Sequence, residues 1–304
     1  MSQEGNSVWG REKSTMIKAK ARKKDLKRAI EKLAHDNLID RVGFAPISRF
    51  EKAPHHHRPT DLLPEAKTVV VLGVNLAKGI VISNQRAYSP NMRHAIYPYL
   101  MYGYVFLNNL LNTAAYQITT MLERNGFVSL PIPASPPNDP YLTKGAFSNR
   151  LAAVAAGFGE FGWMTLLITP GGPRIRVASI ITEASIEPSP IYKGPRICDT
   201  KRCKFLCSRI CPVDAIPVNK KVSLEIDGNL YEYCDLDKWK CRWGVLAFTK
   251  STLGRKEVPM PEVITPENYL MALKEQDPWQ SMEMVPIGRA SFCGKCMIDC
   301  PVGT

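Results

Sequence analysis

Apolar residues recur at helical spacing within the strongly basic stretch 10–34, where Leu26, Ile30 and Leu33 fall on one face of a predicted helix. The charged remainder reads as a solvated amphipathic surface over the first domain; the sharper alternative is a face for nucleic acid or an acidic protein. A turn into a short strand follows in NLIDRVGFAPI, residues 37–47. Thr68 to Val74 is a continuous apolar run rich in β-branched residues, the pattern of a buried strand. From Ala95 to Leu122 no side chain is charged, and this segment predicts a buried helix that stops at Arg124-Asn125-Gly126, with Gly126 as the C-terminal stop. FVSLPIPASPPNDPYL, residues 127–142, reads as a proline-rich loop. LAAVAA (151–156) is helix-like, MTLLIT (164–169) strand-like, TPGGPR a turn and IRVASIIT (175–182) a second strand. Beyond Glu187 the composition shifts to Pro and Lys, which sets a domain boundary near residue 190.

The uncharged segment is long enough to span a bilayer, for which about 20 apolar residues suffice. Pro98, Asn108, Asn109, Asn112, Gln117 and several threonines interrupt it, so burial against protein or a large cofactor is expected instead of a membrane span. The N-terminus shows neither an apolar signal core nor a twin arginine, and a cytoplasmic protein is expected. Lys and Arg outnumber Asp and Glu by 40 to 28, a net charge of +12 that favours anionic partners. The consecutive His55, His56 and His57 read as loop residues without a metal role, since neighbours on a strand point to opposite faces.

The nine cysteines carry the chemistry. None precedes residue 198, and an odd number confined to one end is unlike a secreted disulfide framework. One group is Cys198-x4-Cys203-x3-Cys207-x3-Cys211-Pro212, and the other is Cys293-x2-Cys296-x3-Cys300-Pro301. Bacterial ferredoxins use C-x2-C-x2-C-x3-C-P, whose fourth cysteine ligates the other cluster. Proline after that cysteine suits the first turn of a helix, where no backbone N–H is needed. Two C-x3-C-P ends in one chain point to two [4Fe–4S] clusters, the eighth thiolate coming from Cys234 or Cys241. Structural zinc is the competing reading, but it more commonly uses paired C-x2-C knuckles. Gly157-Phe-Gly159-Glu-Phe-Gly162 matches the dinucleotide-binding spacing G-x-G-x-x-G, yet here a helix precedes and a strand follows, the reverse of what that motif requires.

With these residues assembled, the chain resembles the epoxyqueuosine reductases and reductive dehalogenases, cobalamin enzymes with a ferredoxin-like module. The resemblance runs over roughly residues 26–304 and rests on DLLPEAKTVVVLGVNL, LAAVAAGFGEFGWMTLLITPGGPRIRVASIIT, KWKCRWG and GKCMIDCP. It implies an α+β protein: a basic helical segment (1–34), a nitroreductase-like α/β corrinoid-binding layer (35–190) and a ferredoxin-like iron–sulfur domain (191–304). It also selects Cys241 over Cys234. One cluster is then held by Cys198, Cys203, Cys207 and Cys300, and the other by Cys211, Cys241, Cys293 and Cys296. A corrinoid is expected against Gly157, Gly159, Gly162, Trp163 and Thr165, since glycines permit close backbone approach.

Two departures bear on function. Trp163 stands where the family carries Lys or Arg, which removes a group able to stabilise negative charge on a substrate. Val105, within MYGYVFLNN, stands where epoxyqueuosine reductases carry a catalytic Asp. Tyr102 or Tyr104 is the candidate general acid, as in dehalogenases. The leading expectation is a cobalamin-dependent reductase of a small molecule, fed by a ferredoxin or flavodoxin. The alternative is a ferredoxin-like carrier serving a corrinoid partner, and a tRNA epoxide reductase ranks third.

Overall fold

A computed structural model describes residues 25–135, 144–284 and 291–303. In chain order, the first half contains helix α1 (25–36), strands β1 (Arg41–Pro46) and β2 (Thr68–Asn75), helix α2 (Lys78–Arg86), helix α3 (Leu107–Arg124), strand β3 (Ser129–Ile132) and helix α4 (Asn149–Ala155). The short strands β4 (Glu160–Phe161) and β5 (Leu167–Ile168) and the long strand β6 (Ile175–Thr182) complete it. The sheet runs β1-β2-β6-β3, with every neighbouring pair antiparallel.

The near-continuous apolar run of β2 has a simple cause: both faces of the sheet are covered. Val70, Leu72, Ala178 and Ile180 meet Leu111, Ala114, Ile118 and Leu122 of α3, together with Ile30 of α1. Alternate residues Val69, Val71, Val177 and Ile181 meet Ala152, Ala153 and Val154 of α4 on the opposite face. Strand periodicity of two sends neighbours to opposite sides, so β2 needs apolar residues at every position. Leu26 and Ile30 of α1 are buried as the helical spacing predicts, with Leu33 packed at the edge. Residues 1–24 of the basic segment lie outside the described residues.

The uncharged segment is not one regular helix. A 3-10 turn (Arg93–Ile96) is followed by a π-helical stretch (Tyr99–Phe106), and only then by α3. Helix α3 ends where expected, with Gly126 at φ +84°. No described helix is long and apolar enough to cross a membrane. The proline-rich loop hides β3: Leu130, Pro131 and Ile132 pair with Ile181, Ile180 and Ser179. Pro131 is tolerated because β3 lies at the sheet edge. MTLLIT yields only the two-residue β5, paired with β4.

After residue 190 come two single-turn helices, α5 (Thr200–Cys203) and α6 (Leu206–Arg209), a hairpin of β7 (Lys221–Ile226) and β8 (Asn229–Cys234), and helices α7 (Lys238–Val245), α8 (Pro266–Glu275), α9 (Pro278–Met284) and α10 (Lys295–Ile298). Asp227 and Gly228 both take positive φ (52° and 75°) at the hairpin turn, as a two-residue turn between twisted strands requires. An apolar cluster joins Trp243, Phe248, Tyr269, Phe292 and Ile298 to Ile96, Tyr99 and Leu100 at the start of the π-helical stretch. The chain is thus a mixed helix-and-strand protein whose cysteine-bearing half packs on the helical edge of the sheet layers.

Candidate functional site

The first thiol loop is shaped by its backbone. The carboxylate of Glu160 accepts hydrogen bonds from the N–H groups of Ile197 (2.7 Å) and Cys198 (2.6 Å), which fixes the start of the loop against β4. Asp199 caps α5, accepting from Arg202 N at 2.9 Å. Lys204 and Phe205 then both adopt left-handed backbone (φ 50° and 51°) before α6 begins. Left-handed backbone costs a non-glycine residue roughly 1–2 kcal/mol, and two in succession coil the chain between Cys203 and Cys207. The longer spacing relative to ferredoxins is absorbed in α5 and this coil.

The second thiol group gathers from three places. Cys211 follows α6; its sulfur accepts from Ala215 N at 3.3 Å. Cys241 lies on α7, whose first turn is capped by Asp237 accepting from Lys240 N at 2.9 Å. Cys293 and Cys296 flank the start of α10, which packs against α2. Cys300 leaves this group and returns to the first loop. Arg174 holds that return, donating to the carbonyls of Val302 (2.7 Å), Ile298 (3.1 Å) and Cys300 (2.5 Å). It satisfies carbonyls that end α10, which otherwise have no partner within the helix.

Electrostatic proximity divides the thiols along these lines. Cys198 feels Cys203 and Cys300, and Cys207 feels Cys198, Cys203 and Cys300. Cys241 feels Cys293 and Cys211, while Cys296 feels Cys293, Cys241 and Cys211 most and Cys207 of the first group least. All eight are half-buried and unoxidised. Burial pushes Cys198 up to about 11 and Cys207 and Cys241 up to about 12, and raises Cys293, Cys296 and Cys300 as well. Cys234 is fully buried at the end of β8, and its thiol is pushed up to about 12 by desolvation.

Eight thiols in two sets of four suit two iron–sulfur clusters. Backbone N–H groups aim at sulfur, including Trp163 N to Cys198 Sγ at 3.2 Å, an arrangement that favours thiolate. Buried polar atoms with no partner flank the thiols: the hydroxyl of Ser208 and both side-chain amide atoms of Asn84. Asn84 is fully buried on α2, with Nδ2 3.8 Å from where a Cβ on Gly294 would stand. Orphaned polar groups of this kind call for an acceptor or donor that protein does not supply.

The glycines expected at a corrinoid meet other parts of the same chain. The missing side chains of Gly157 and Gly159 face protein backbone, since a Cβ would lie 2.0 Å from Pro190 O and 2.1 Å from Ile168 O, respectively. A Cβ on Gly162 would press on Met164 Sδ at 2.9 Å. These glycines let the chain pack closely on itself. Trp163 is buried beside the first thiol loop, donating from Nε1 to Pro217 O (2.9 Å), with its ring edge-on to Phe205. Thr165 is buried at φ +68° and receives both bonds of Arg150.

The two tyrosines diverge on the π-helical stretch. Tyr102 is 61% exposed and leans on Phe106. Tyr104 turns inward, its ring 4.0 Å beneath the Arg176 guanidinium and its hydroxyl 2.8 Å from Ser135 Oγ. Sequence reasoning missed Arg150, Arg174 and Asn84, because nothing in their local pattern separates them from ordinary helix or turn residues.

No family model matches the sequence, and no curated protein matches it. Solved structures do match in shape. An epoxyqueuosine reductase, solved with an epoxyqueuosine-modified tRNA-Tyr stem loop, aligns over 92% of this chain and 65% of its own, at 16% identity and a TM-score of 0.50. A catabolic reductive dehalogenase in complex with 3-bromo-4-hydroxybenzoic acid aligns over 87% of this chain and 35% of its own, at 17% identity and a TM-score of 0.50. The chain therefore spans just under two thirds of the first protein and about a third of the second. The fold of this chain is the one shared by epoxyqueuosine reductases and reductive dehalogenases.

Proposed function

We propose that the chain is a two-cluster iron–sulfur oxidoreductase. Cys198, Cys203, Cys207 and Cys300 hold one [4Fe–4S] cluster, and Cys211, Cys241, Cys293 and Cys296 hold the other. The carrying observation is the return of Cys300 to the first loop, pinned by Arg174, while Cys211 departs to the second group. When bound, such clusters supply one-electron transfer at low potential. The protein's part is to hold thiolates with backbone N–H groups and to keep water off them with Trp163, Phe205 and Ile216. Thiols this strongly shifted by burial give up their protons to metal, so loading is coupled to proton release.

The first thiol loop also carries an electropositive rim. Lys193, Arg196, Lys201, Arg202, Lys204 and Arg209 are all exposed around it. An acidic ferredoxin or flavodoxin is the matching donor, steered by charge. The test is anaerobic reduction of the iron-loaded chain by flavodoxin in stopped flow. Rapid bleaching that slows steeply with added salt supports the reading; a rate insensitive to salt, or no bleaching, removes it.

A second reading, a corrinoid-dependent reductase with Tyr104 as general acid, is favoured by one arrangement. Tyr104 lies under Arg176 and beside Tyr99, which itself feels Cys293 and Cys296. One equivalent of cobalamin retained after gel filtration supports that reading, and none retained leaves the carrier reading alone.

A further inference from the structure

A cleft of about 280 Å³ lies between the β7–β8 hairpin, β4 and the chain from Tyr192 to Arg196. Drug-sized ligands occupy pockets of about 300–1,000 Å³, so this one is sized for a single fused ring and little more. Aromatic side chains build its walls. Phe161 and Tyr231 meet edge to face with ring centroids 6.1 Å apart, and Tyr192 folds back from the facing segment. The Tyr192 hydroxyl donates to Pro195 O at 3.0 Å, which holds that fold. Gly194 makes room for it, since a Cβ there would collide with the ring and the hydroxyl. Flat aromatic faces of this kind take up a flat ring by stacking.

Two polar groups of the lining keep hydrogen-bonding capacity unused. Glu160 accepts through Oε1 from the N–H groups of Ile197 and Cys198, whereas Oε2 has no partner among the described residues. A carboxylate oxygen only accepts, so its match is an N–H or O–H donor. Arg196 donates from Nε to Cys198 O at 3.1 Å, and its two terminal nitrogens have no partner among the described residues. The second carboxylate of the lining, Glu232, is already paired with Lys221. Arg196 is exposed, as is Lys193, which stands between Tyr192 and Gly194 in the chain. A flat ring bearing an amino group thus finds an acceptor inside the cleft, and an acidic group attached to that ring finds a guanidinium fork at its mouth.

We propose that this cleft binds a nucleotide: an amino-bearing base lies against Tyr192, Phe161 and Tyr231 with its amino group on Glu160 Oε2, and its phosphate rests on Arg196 and Lys193. The site goes beyond the oxidoreductase reading and does not depend on it. Because Glu160 also accepts from the N–H of Cys198, the nucleotide occupies the same carboxylate that anchors the first thiol loop.

The test is calorimetric titration of the anaerobic, iron-loaded chain with AMP, with adenosine, and with purine riboside 5′-monophosphate, which lacks the amino group. Saturable one-to-one binding of AMP is expected, about tenfold tighter than the analogue without the amino donor and about fivefold tighter than adenosine. Glu160→Gln keeps an oxygen for Ile197 and Cys198 but puts a donor in place of Oε2, and is expected to erase the preference for the amino group. Arg196→Gln is expected to erase the preference for phosphate and to leave adenosine binding as it is, which keeps the test open if Glu160→Gln fails to fold. Arg124→Gln, exposed at the end of α3, leaves all three affinities unchanged. Absence of saturable AMP binding, equal affinity of the wild type for AMP and the analogue, or a preference that survives its own substitution overturns the proposal. Tighter binding of an adenylate trinucleotide than of AMP also overturns it and assigns the cleft to the end of an RNA strand.

Discussion

Asn84→Leu separates the cost of the site from its use. In the folded chain the Asn84 side chain is fully buried and both polar atoms lack partners. An unsatisfied buried polar group costs about 1–3 kcal/mol, whereas an apolar group of similar shape can be neutral or stabilising. The metal-free variant is therefore expected to be more stable than metal-free wild type, by about 2 kcal/mol in anaerobic urea unfolding. In the loaded protein the sign reverses for function. If the second thiol set holds a cluster as proposed, the unpartnered Nδ2 would be a donor beside it, favouring the more negative, reduced state. Its loss removes about 1 kcal/mol of that preference, and at 59 mV per tenfold for one electron this is roughly 40 mV toward more negative potential. The assay is an anaerobic redox titration followed by EPR, in which one cluster shifts and the other does not. Unchanged potentials for both clusters, together with a destabilised metal-free variant, would refute the reasoning.

Cys300→Ser is expected to lose about half the bound iron, whereas Cys234→Ser keeps all of it; equal iron in the two variants would reject the assignment of ligands. Gly157→Ala places a methyl 2.0 Å from Pro190 O at φ +83°, so a loss of several kcal/mol in thermal unfolding is expected with cobalamin uptake unaffected. The metal-free chain is expected to lose stability as pH rises from about 9 toward 11. Cys198 and Cys207 are raised to about 11 and about 12, above their unfolded values, so the folded state holds protons that the unfolded state has released. A urea midpoint that falls between pH 8 and pH 10.5 in the metal-free chain, but holds in the loaded one, is the expected outcome.

Much of the frame is legible in the sequence because burial writes itself into composition. The β-branched run at Thr68 gives β2, the helical spacing of Leu26 and Ile30 gives the inner face of α1, and Gly126 ends α3. The order of helix, glycines and strand rules out a dinucleotide fold, and α4 does precede β5. Three features escaped for physical reasons. Pro131 masks β3, because a proline is excluded from central strands but not from an edge. The π-helical stretch lacks a sequence period of its own. The hairpin β7–β8 carries its turn signal at Asp227-Gly228, but its strands are largely exposed and lack a continuous apolar run.

The glycine segment has a structural reason that the resemblance did not supply. Gly157 and Gly159 are required by Pro190 O and Ile168 O within the same chain, since a Cβ at either would collide with them. Cys241 is separable from Cys234 only through the family resemblance: in the fold Cys241 feels Cys293 and Cys211, and Cys234, which closes a strand, feels Cys207, Cys241 and Cys211.

The account stands on crossed ligation of two cubanes, and Mössbauer spectroscopy of the chain loaded anaerobically with 57Fe tests it most directly. The account predicts about eight irons per chain, all in valence-delocalised [4Fe–4S] pairs, falling to one intact cluster in Cys300→Ser and in Cys241→Ser. A protein that retains zinc in place of iron, or one that keeps both clusters when Cys300 and Cys241 are replaced together, would contradict it.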